Sequence, residues 1–290
     1  MSLAKRRLGR TEHESSIAIL GGAAFWEGNA ETTEEGWRLA LEHGINHLDV
    51  APGYGQAEAQ CGPFLEPVRN EWFVAGKTGR SNADGIQAQL ATTLERLRTD
   101  HLDLYQAHGV TSIDELNRRS TALETICRAR DEGLTRFVGI TGHDLGTPKA
   151  QLEAVRRFDL DTVMFPIYPR VWADPQYRAD AEELIAEAEA RDVGVMVIKA
   201  VARKPWGDDE RTELTWYRPW TTPWAIERGV RFALSTPGVT SFCTPGDVSL
   251  LPMVLEAAEA FEPLSASARV EAVEAQADAP LIFPLAENAR

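Results

Sequence analysis

Four polar side chains in this sequence are of the types that could hand a proton to a reacting oxygen: Asp49, Tyr54, Lys77 and His108. A carbonyl that accepts hydride at carbon builds negative charge on its oxygen, so a site for that reaction needs a proton donor beside it. Tyrosine ionises near pH 10, and an adjacent ammonium favours its phenolate. In such a set Lys77 would draw the pKa of Tyr54 down toward neutrality, and Asp49 would hold Lys77 charged and in place. His108 would donate a hydrogen bond that orients the carbonyl. Each residue alone has a plain structural explanation, as a helix cap, a rim aromatic, a solvated ammonium or a satisfied core imidazole. The combination is what points to chemistry.

These residues need elements that bring them together. Short β-branched or apolar runs alternate with stretches of helical periodicity from end to end, the pattern of a parallel sheet with crossover helices. Eight runs read as strands: 17–21, 45–49, 72–77, 102–108, 135–141, 162–166, 193–199 and 240–244. Asp49 ends the second, Tyr54 follows it, Lys77 ends the third and His108 ends the fourth. In a (β/α)8 barrel these ends converge on the face where active sites are built. The expected fold is therefore α/β, a (β/α)8 TIM barrel with long loops at its C-terminal face. Residues 1–16, with Leu8-Gly9-Arg10-Thr11, suit a small N-terminal β-hairpin across one end. Residues 1–290 are expected to form one domain, with 264–290 as a C-terminal extension.

Local signals support the alternation. Thr32 with Glu35 and Ser112 with Glu115 make capping-box patterns before helical stretches. Ile86, Leu90, Leu94 and Leu97 share one helix face, and Gly44 and Gly133 stand where helices must stop before strands.

Composition narrows the function. With 43% apolar residues in 290, the chain can bury a full-sized core. A net charge of −14 and a pI near 5.0 argue against nucleic acid or an anionic membrane as partner, since both need clustered Lys and Arg. Cys61, Cys127 and Cys243 are widely spaced and include no CxxC, so no disulfide framework or metal site is expected. The basic start leads into no apolar run of signal-peptide length, and the chain reads as cytoplasmic. Gly76-Lys77-Thr78 mimics the end of a P-loop, but the motif's first glycine would fall at Glu71. His43 and His47 have the spacing of a helical metal pair, but Gly44 between them breaks the helix.

The segment from Gly44 to Gly55, Gly-Ile-Asn-His-Leu-Asp-Val-Ala-Pro-Gly-Tyr-Gly, resembles the aldo-keto reductase signature around that family's Asp and Tyr. Val74-Ala75-Gly76-Lys77-Thr78 is similar to the segment carrying its lysine, and Asp103-Leu104-Tyr105-Gln106-Ala107-His108 to the one carrying its histidine. The resemblance extends over Leu8–Thr11, 133–139 and 237–246, about the first 250 residues. It implies an NAD(P)(H)-dependent oxidoreductase that reduces aldehydes or ketones to alcohols, or the reverse, with Tyr54 as general acid, no metal and a small-molecule substrate. The alternative is a nicotinamide-binding regulatory or interaction subunit of the same fold.

The resemblance also implies cofactor contacts at Gly22, Ala23, Asp49, Thr141, Gly142, Met164, Lys199, Arg203, Thr244, Gly246, Asp247 and Ser249. Some depart from the family pattern. Thr141-Gly142-His143 replaces the usual Ser-Asn, Met164 replaces a glutamine, and Lys199-Ala200-Val201 offers no aromatic to stack on the nicotinamide. In the 244–249 loop Asp247 stands where many members carry a basic residue for the 2′-phosphate of NADP(H). A carboxylate there would favour the ribose hydroxyl of NAD(H), with Arg203 and Lys204 able to compensate from the long 200–222 connection. That connection holds Trp206, Trp216, Tyr217 and Trp220; long loops of this kind tend to be lids or binding loops. Trp26, His143, Trp206, Trp216 and Trp220 are the expected substrate contacts.

Overall fold

The computed structural model describes residues 2–284. Strand β1 (Lys5–Arg7) pairs antiparallel with β2 (Glu14–Ser16), the expected hairpin. Seven parallel strands follow: β3 (Ala18–Gly21), β4 (His47–Asp49), β5 (Phe73–Thr78), β6 (Leu102–His108), β7 (Thr135–Thr141), β8 (Thr162–Pro166) and β9 (Gly194–Ile198). A short antiparallel pair, β10 (Ala202–Lys204) and β11 (Arg218–Pro219), comes next, and β12 (Val239–Cys243) closes the barrel between β9 and β3. The fold is a (β/α)8 barrel. Strands buried on both faces read as continuous apolar runs rather than alternating ones. This is why the eight runs were visible in the sequence, with ends shifted by at most two residues.

The hairpin seals the N-terminal end. Fully buried Leu8 enters an interior cluster with Ile19, Phe73, Leu104, Met164 and Met196. Side chains from several strands thus fill the lower barrel as a packed core, and open space is left to the opposite end.

Helix boundaries follow local chemistry, with one correction. The first helix spans Ala30–His43, and its cap is Asn29, whose side chain accepts from the Thr32 amide at 3.1 Å. Thr32, expected as the cap, lies inside the first turn, because asparagine one turn earlier satisfies the same orphan amides. The helix stops at Gly44, where φ is +76°, a left-handed conformation open to glycine without steric cost. Ser112 caps the Ile113–Arg118 helix as expected, accepting from the Glu115 amide. In the Ala83–Leu97 helix, Ile86, Leu90 and Leu97 are buried and Leu94 is half-buried.

A final helix, Ala266–Glu274, is capped by Ser265, and Ile282 and Phe283 beyond it are buried in the main core. The described part of 264–290 therefore packs on the barrel; residues 285–290 lie outside the described residues. Among the described residues no helix is long and apolar enough to cross a membrane.

Candidate active site

The C-terminal ends of β4, β5 and β6 bring Asp49, Lys77 and His108 to one face, because neighbouring parallel strands pair in register: Asp49 with Ala75, and Lys77 with Gln106. Lys77 Nζ donates to Asp49 Oδ1, and also to the Val50 carbonyl at 3.1 Å. Gln106 Nε2 donates to the other Asp49 oxygen at 3.0 Å. Asp49 is thus held from two strands. Gln106 lies in the strand that carries His108, and no motif in the sequence marks it as functional. The signal was there: two residues beyond Leu104, a member of the interior cluster, the pleat turns Gln106 to the same face, and a polar group there needs a partner.

Tyr54 sits in the turn after β4, with its amide donating to the Ala51 carbonyl at 2.9 Å. The next residue, Gly55, has φ +54°, and a Cβ there would lie 2.4 Å from the Trp26 carbonyl oxygen; the turn can pass under the Trp26 segment only without a side chain. Lys77 Nζ lies 4.9 Å from the Tyr54 ring centroid. Burial pushes the phenol up to about 12, with the Lys77 charge opposing the rise and Asp49 adding to it. Proximity to lysine was expected to bring Tyr54 toward neutrality; desolvation of a buried phenolate outweighs it. Burial also works against the Lys77 ammonium, but Asp49 and Tyr54 overcome this and hold it above its usual range. The pocket contains a protonated phenol beside a firmly charged lysine.

His108 and His143, at the mouths of β6 and β7, approach Nε2 to Nε2 at 3.2 Å. The Tyr54 and His108 rings meet edge to face, 5.9 Å between centroids. Trp216 comes over from the long connection, 5.8 Å from the Tyr54 ring and 6.3 Å from that of His143, and Trp26 lies 6.4 Å from Tyr54 on another side. Burial holds His143 well below the ordinary imidazole range, and His108, Lys199 and Lys77 lower it further. His143 is therefore neutral.

Tyr54, Trp26, His143 and Trp216 line a cavity of about 310 Å³, together with Asp49, Gly21, Ala23, Met164, Lys199, Tyr217, Cys243, Thr244 and Gly246. The volume is at the small end for ligand sites. Of the residues assigned from sequence, Gly22 and Gly142 are buried beside this wall without lining it. Thr141 is fully buried, paired with Met164 across β7 and β8, and among the described residues its hydroxyl has no partner.

Other assigned residues are not brought to the cavity. Trp206 is buried within the long connection, its indole N–H donating to the Thr215 carbonyl at 2.8 Å. Trp220 stacks with Arg203 at 4.8 Å and neighbours Trp224. Lys204 pairs with Asp209. Asp247 caps the 248–250 turn, one oxygen accepting from the Ser249 amide at 2.9 Å and hydroxyl at 2.6 Å, and the other accepts from the Leu214 amide at 2.8 Å. Both oxygens clasp loops, so the carboxylate is not the free ribose acceptor that its position in the sequence suggested. Tyr217, one of the aromatics of the long connection, and Cys243, at the end of the last strand, also join the cavity wall; sequence alone assigns neither to the site. Among the described residues no cluster of potential metal ligands occurs.

A closed (β/α)8 barrel with ionisable and aromatic groups gathered at the strand C-termini has the layout of the barrels that bind and transform small molecules at that face. A family model described as the aldo/keto reductase family matches residues 18–218, and the chain belongs to that family. L-galactose dehydrogenase of Arabidopsis thaliana is 30% identical over 163 residues, covering 52% of this chain and 49% of that protein. D-arabinose 1-dehydrogenase of Saccharomyces cerevisiae is 30% identical over 150 residues, 45% and 44% of the two chains. The match thus spans about half the length of such curated relatives. An aldo-keto reductase of Bacillus halodurans, solved in a holo form, superposes with a TM-score of 0.72 at 23% identity over 99% of both chains and shares the fold.

Proposed function

We propose that this chain is an NAD(P)(H)-dependent oxidoreductase that interconverts aldehydes or ketones and alcohols, with Tyr54 as the proton donor. The observation that carries the reading is the buried Asp49–Lys77 ion pair beside the Tyr54 ring, with Asp49 and Tyr54 lining the cavity. A bound reduced nicotinamide would supply the hydride. Thr141 would hold the carboxamide of such a group: its hydroxyl, buried behind the cavity wall, has no partner among the described residues. Gly21, Ala23, Thr244 and Gly246 would form the wall along which the cofactor lies.

In the reductive direction the phenol of Tyr54 donates to the carbonyl oxygen and gives up its proton as charge builds there. The phenolate left behind is stabilised by the Lys77 ammonium, which Asp49 and Gln106 keep fixed. His108 adds a second polar contact near the same oxygen, and Trp26 and Trp216 exclude water from the reacting carbon. The relatives' names make aldoses the first substrates to test.

The test is Tyr54→Phe, assayed with NADH and NADPH against aldehydes, ketones and aldoses. Loss of at least a hundredfold in kcat with cofactor binding retained is the expected result. Near-normal turnover in the variant would remove Tyr54 from the mechanism, and a wild type that binds neither cofactor would overturn the reading.

A further inference from the structure

Lys199, the residue after β9, is 6% exposed and lines the cavity. Among the described residues its ammonium has no hydrogen bond and no carboxylate within ion-pair distance. The aromatic faces of Trp216 and Tyr217 stand 4.6 and 4.8 Å from Nζ instead. Lysine is almost never so buried without an anionic partner; burial lowers Lys199 to about 7, cation–π contacts offset only part of the lost hydration, and an arriving anion would favour the charged form. The other buried lysine of the site, Lys77, has Asp49.

The backbone adds a second, independent observation. Lys199 has φ +70°, a left-handed conformation in which a non-glycine residue is strained. Glycine or asparagine would relieve the strain, so a lysine held there points to a use for its side chain. The residue is also well placed for a substrate, since the indole that covers it is the one packed against the Tyr54 ring.

We propose that Lys199 is the anion-recognising residue of this pocket and that the carbonyl substrate carries a carboxylate, which pairs with its ammonium beside Trp216 and Tyr217. This rests on the oxidoreductase reading above and narrows its substrates to short oxo acids, including aldehyde acids. Cys243, the other ionisable group acting on Lys199, is kept a neutral thiol by burial and supplies no counter-charge. Glu27 and Glu213 line the same cavity without reaching Lys199, and Arg211 stands with them. A cofactor phosphate would present the same chemistry as a substrate carboxylate, so the experiment separates the two.

The wild type, Lys199→Met and Lys199→Arg are assayed with matched pairs, succinic semialdehyde against butanal and 4-carboxybenzaldehyde against 4-methylbenzaldehyde. The readout is the ratio of kcat/KM within each pair. Binding of benzoate and of benzamide is followed separately by tryptophan fluorescence, and NADH and NADPH affinities are measured for each protein. The expected result is a wild-type preference of about tenfold or more for the carboxylated partner, collapsing toward unity in Lys199→Met and partly kept in Lys199→Arg, with benzoate binding lost in parallel. Equal ratios in the wild type, or a ratio unmoved by Lys199→Met, overturn the proposal. Weakened NADH or NADPH binding in Lys199→Met with an unchanged ratio also overturns it, by assigning the ammonium to the cofactor. Lys199-dependent benzoate binding in a protein that reduces no carbonyl would support the anion site while refuting the oxidoreductase reading.

Discussion

The Nε2 atoms of His108 and His143 face each other 3.2 Å apart, a contact in which one ring nitrogen donates and the other accepts, as their tautomers dictate. His143 is held neutral by burial and by the positive groups around it. Among the described residues its buried Nδ1 has no hydrogen-bond partner, and the tautomer at His143 decides whether His108 presents a donor or an acceptor.

The first prediction follows from that pairing. In a pH titration followed by imidazole NMR, His143 should show no transition near pH 6.5, the ordinary value for histidine; one found there would mean that the pair is solvated. His143→Leu, which removes the partner, should lower kcat/KM for carbonyl reduction about 5- to 100-fold, the range expected when a buried hydrogen-bonding group is stranded. His143→Asn, which keeps an acceptor, should lose less.

Gln106 carries the second prediction. It fixes the Asp49 oxygen that Lys77 does not use, so Gln106→Leu should leave the fold intact while loosening the ion pair beneath Tyr54. Hydrogen bonds to charged groups contribute about 1.5–3 kcal/mol. The expected outcome is a fall in kcat of about tenfold or more, with a displaced pH profile and little change in KM. Partial recovery in Gln106→Asn would support positioning. An unchanged profile with full activity would leave Gln106 a merely structural residue.

The third prediction concerns Asp247. Because its carboxylate ties the 248–250 turn to the Leu214 amide, Asp247→Ala should cost about 1–2 kcal/mol from the lost cap. It should also free the segment 207–217 for proteolysis. Trp216 rides on that segment, so substrate KM should rise as well. If stability and KM hold while only the NADPH/NADH ratio moves, the carboxylate acts on the cofactor after all.

A fourth prediction lies at the closed end of the barrel. His13 stacks on Phe73 at 4.4 Å, and burial lowers its pKa to about 4; His47, fully buried with Ser15 at 3.0 Å, is lowered as well. Both fold as neutral rings, whereas in the unfolded chain they take up protons near pH 6.5. Between pH 6.5 and about 4 the unfolded state therefore binds more protons, and stability falls as pH falls. For His13 alone the loss from pH 6.5 to 4.5 is on the order of 2 kcal/mol. Urea unfolding of His13→Phe, which keeps the stacked ring, should show a flatter dependence over this window. A slope equal to that of the wild type would contradict the assignment.

The sequence by itself determined the barrel and the place of its polar cluster. Strands buried on both faces must be short and apolar, helices between them must show a 3.6-residue period, and Gly44 marks a stop that only its own backbone needs. Asp49, Lys77 and His108 were legible because strand ends are local features and a parallel barrel carries all such ends to one face. What only the tertiary structure decided lies in contacts between segments far apart in the chain. Trp206, Trp216 and Trp220 are equivalent in sequence, yet only Trp216 reaches the cavity, because the β10–β11 pairing and the Asp247–Leu214 bond set how residues 200–222 fold back. The same long-range folding places Trp216 and Tyr217 over Lys199 and leaves its ammonium without an anion. No local pattern encodes that isolation, since a charge's partner is set by whatever the rest of the chain packs around it.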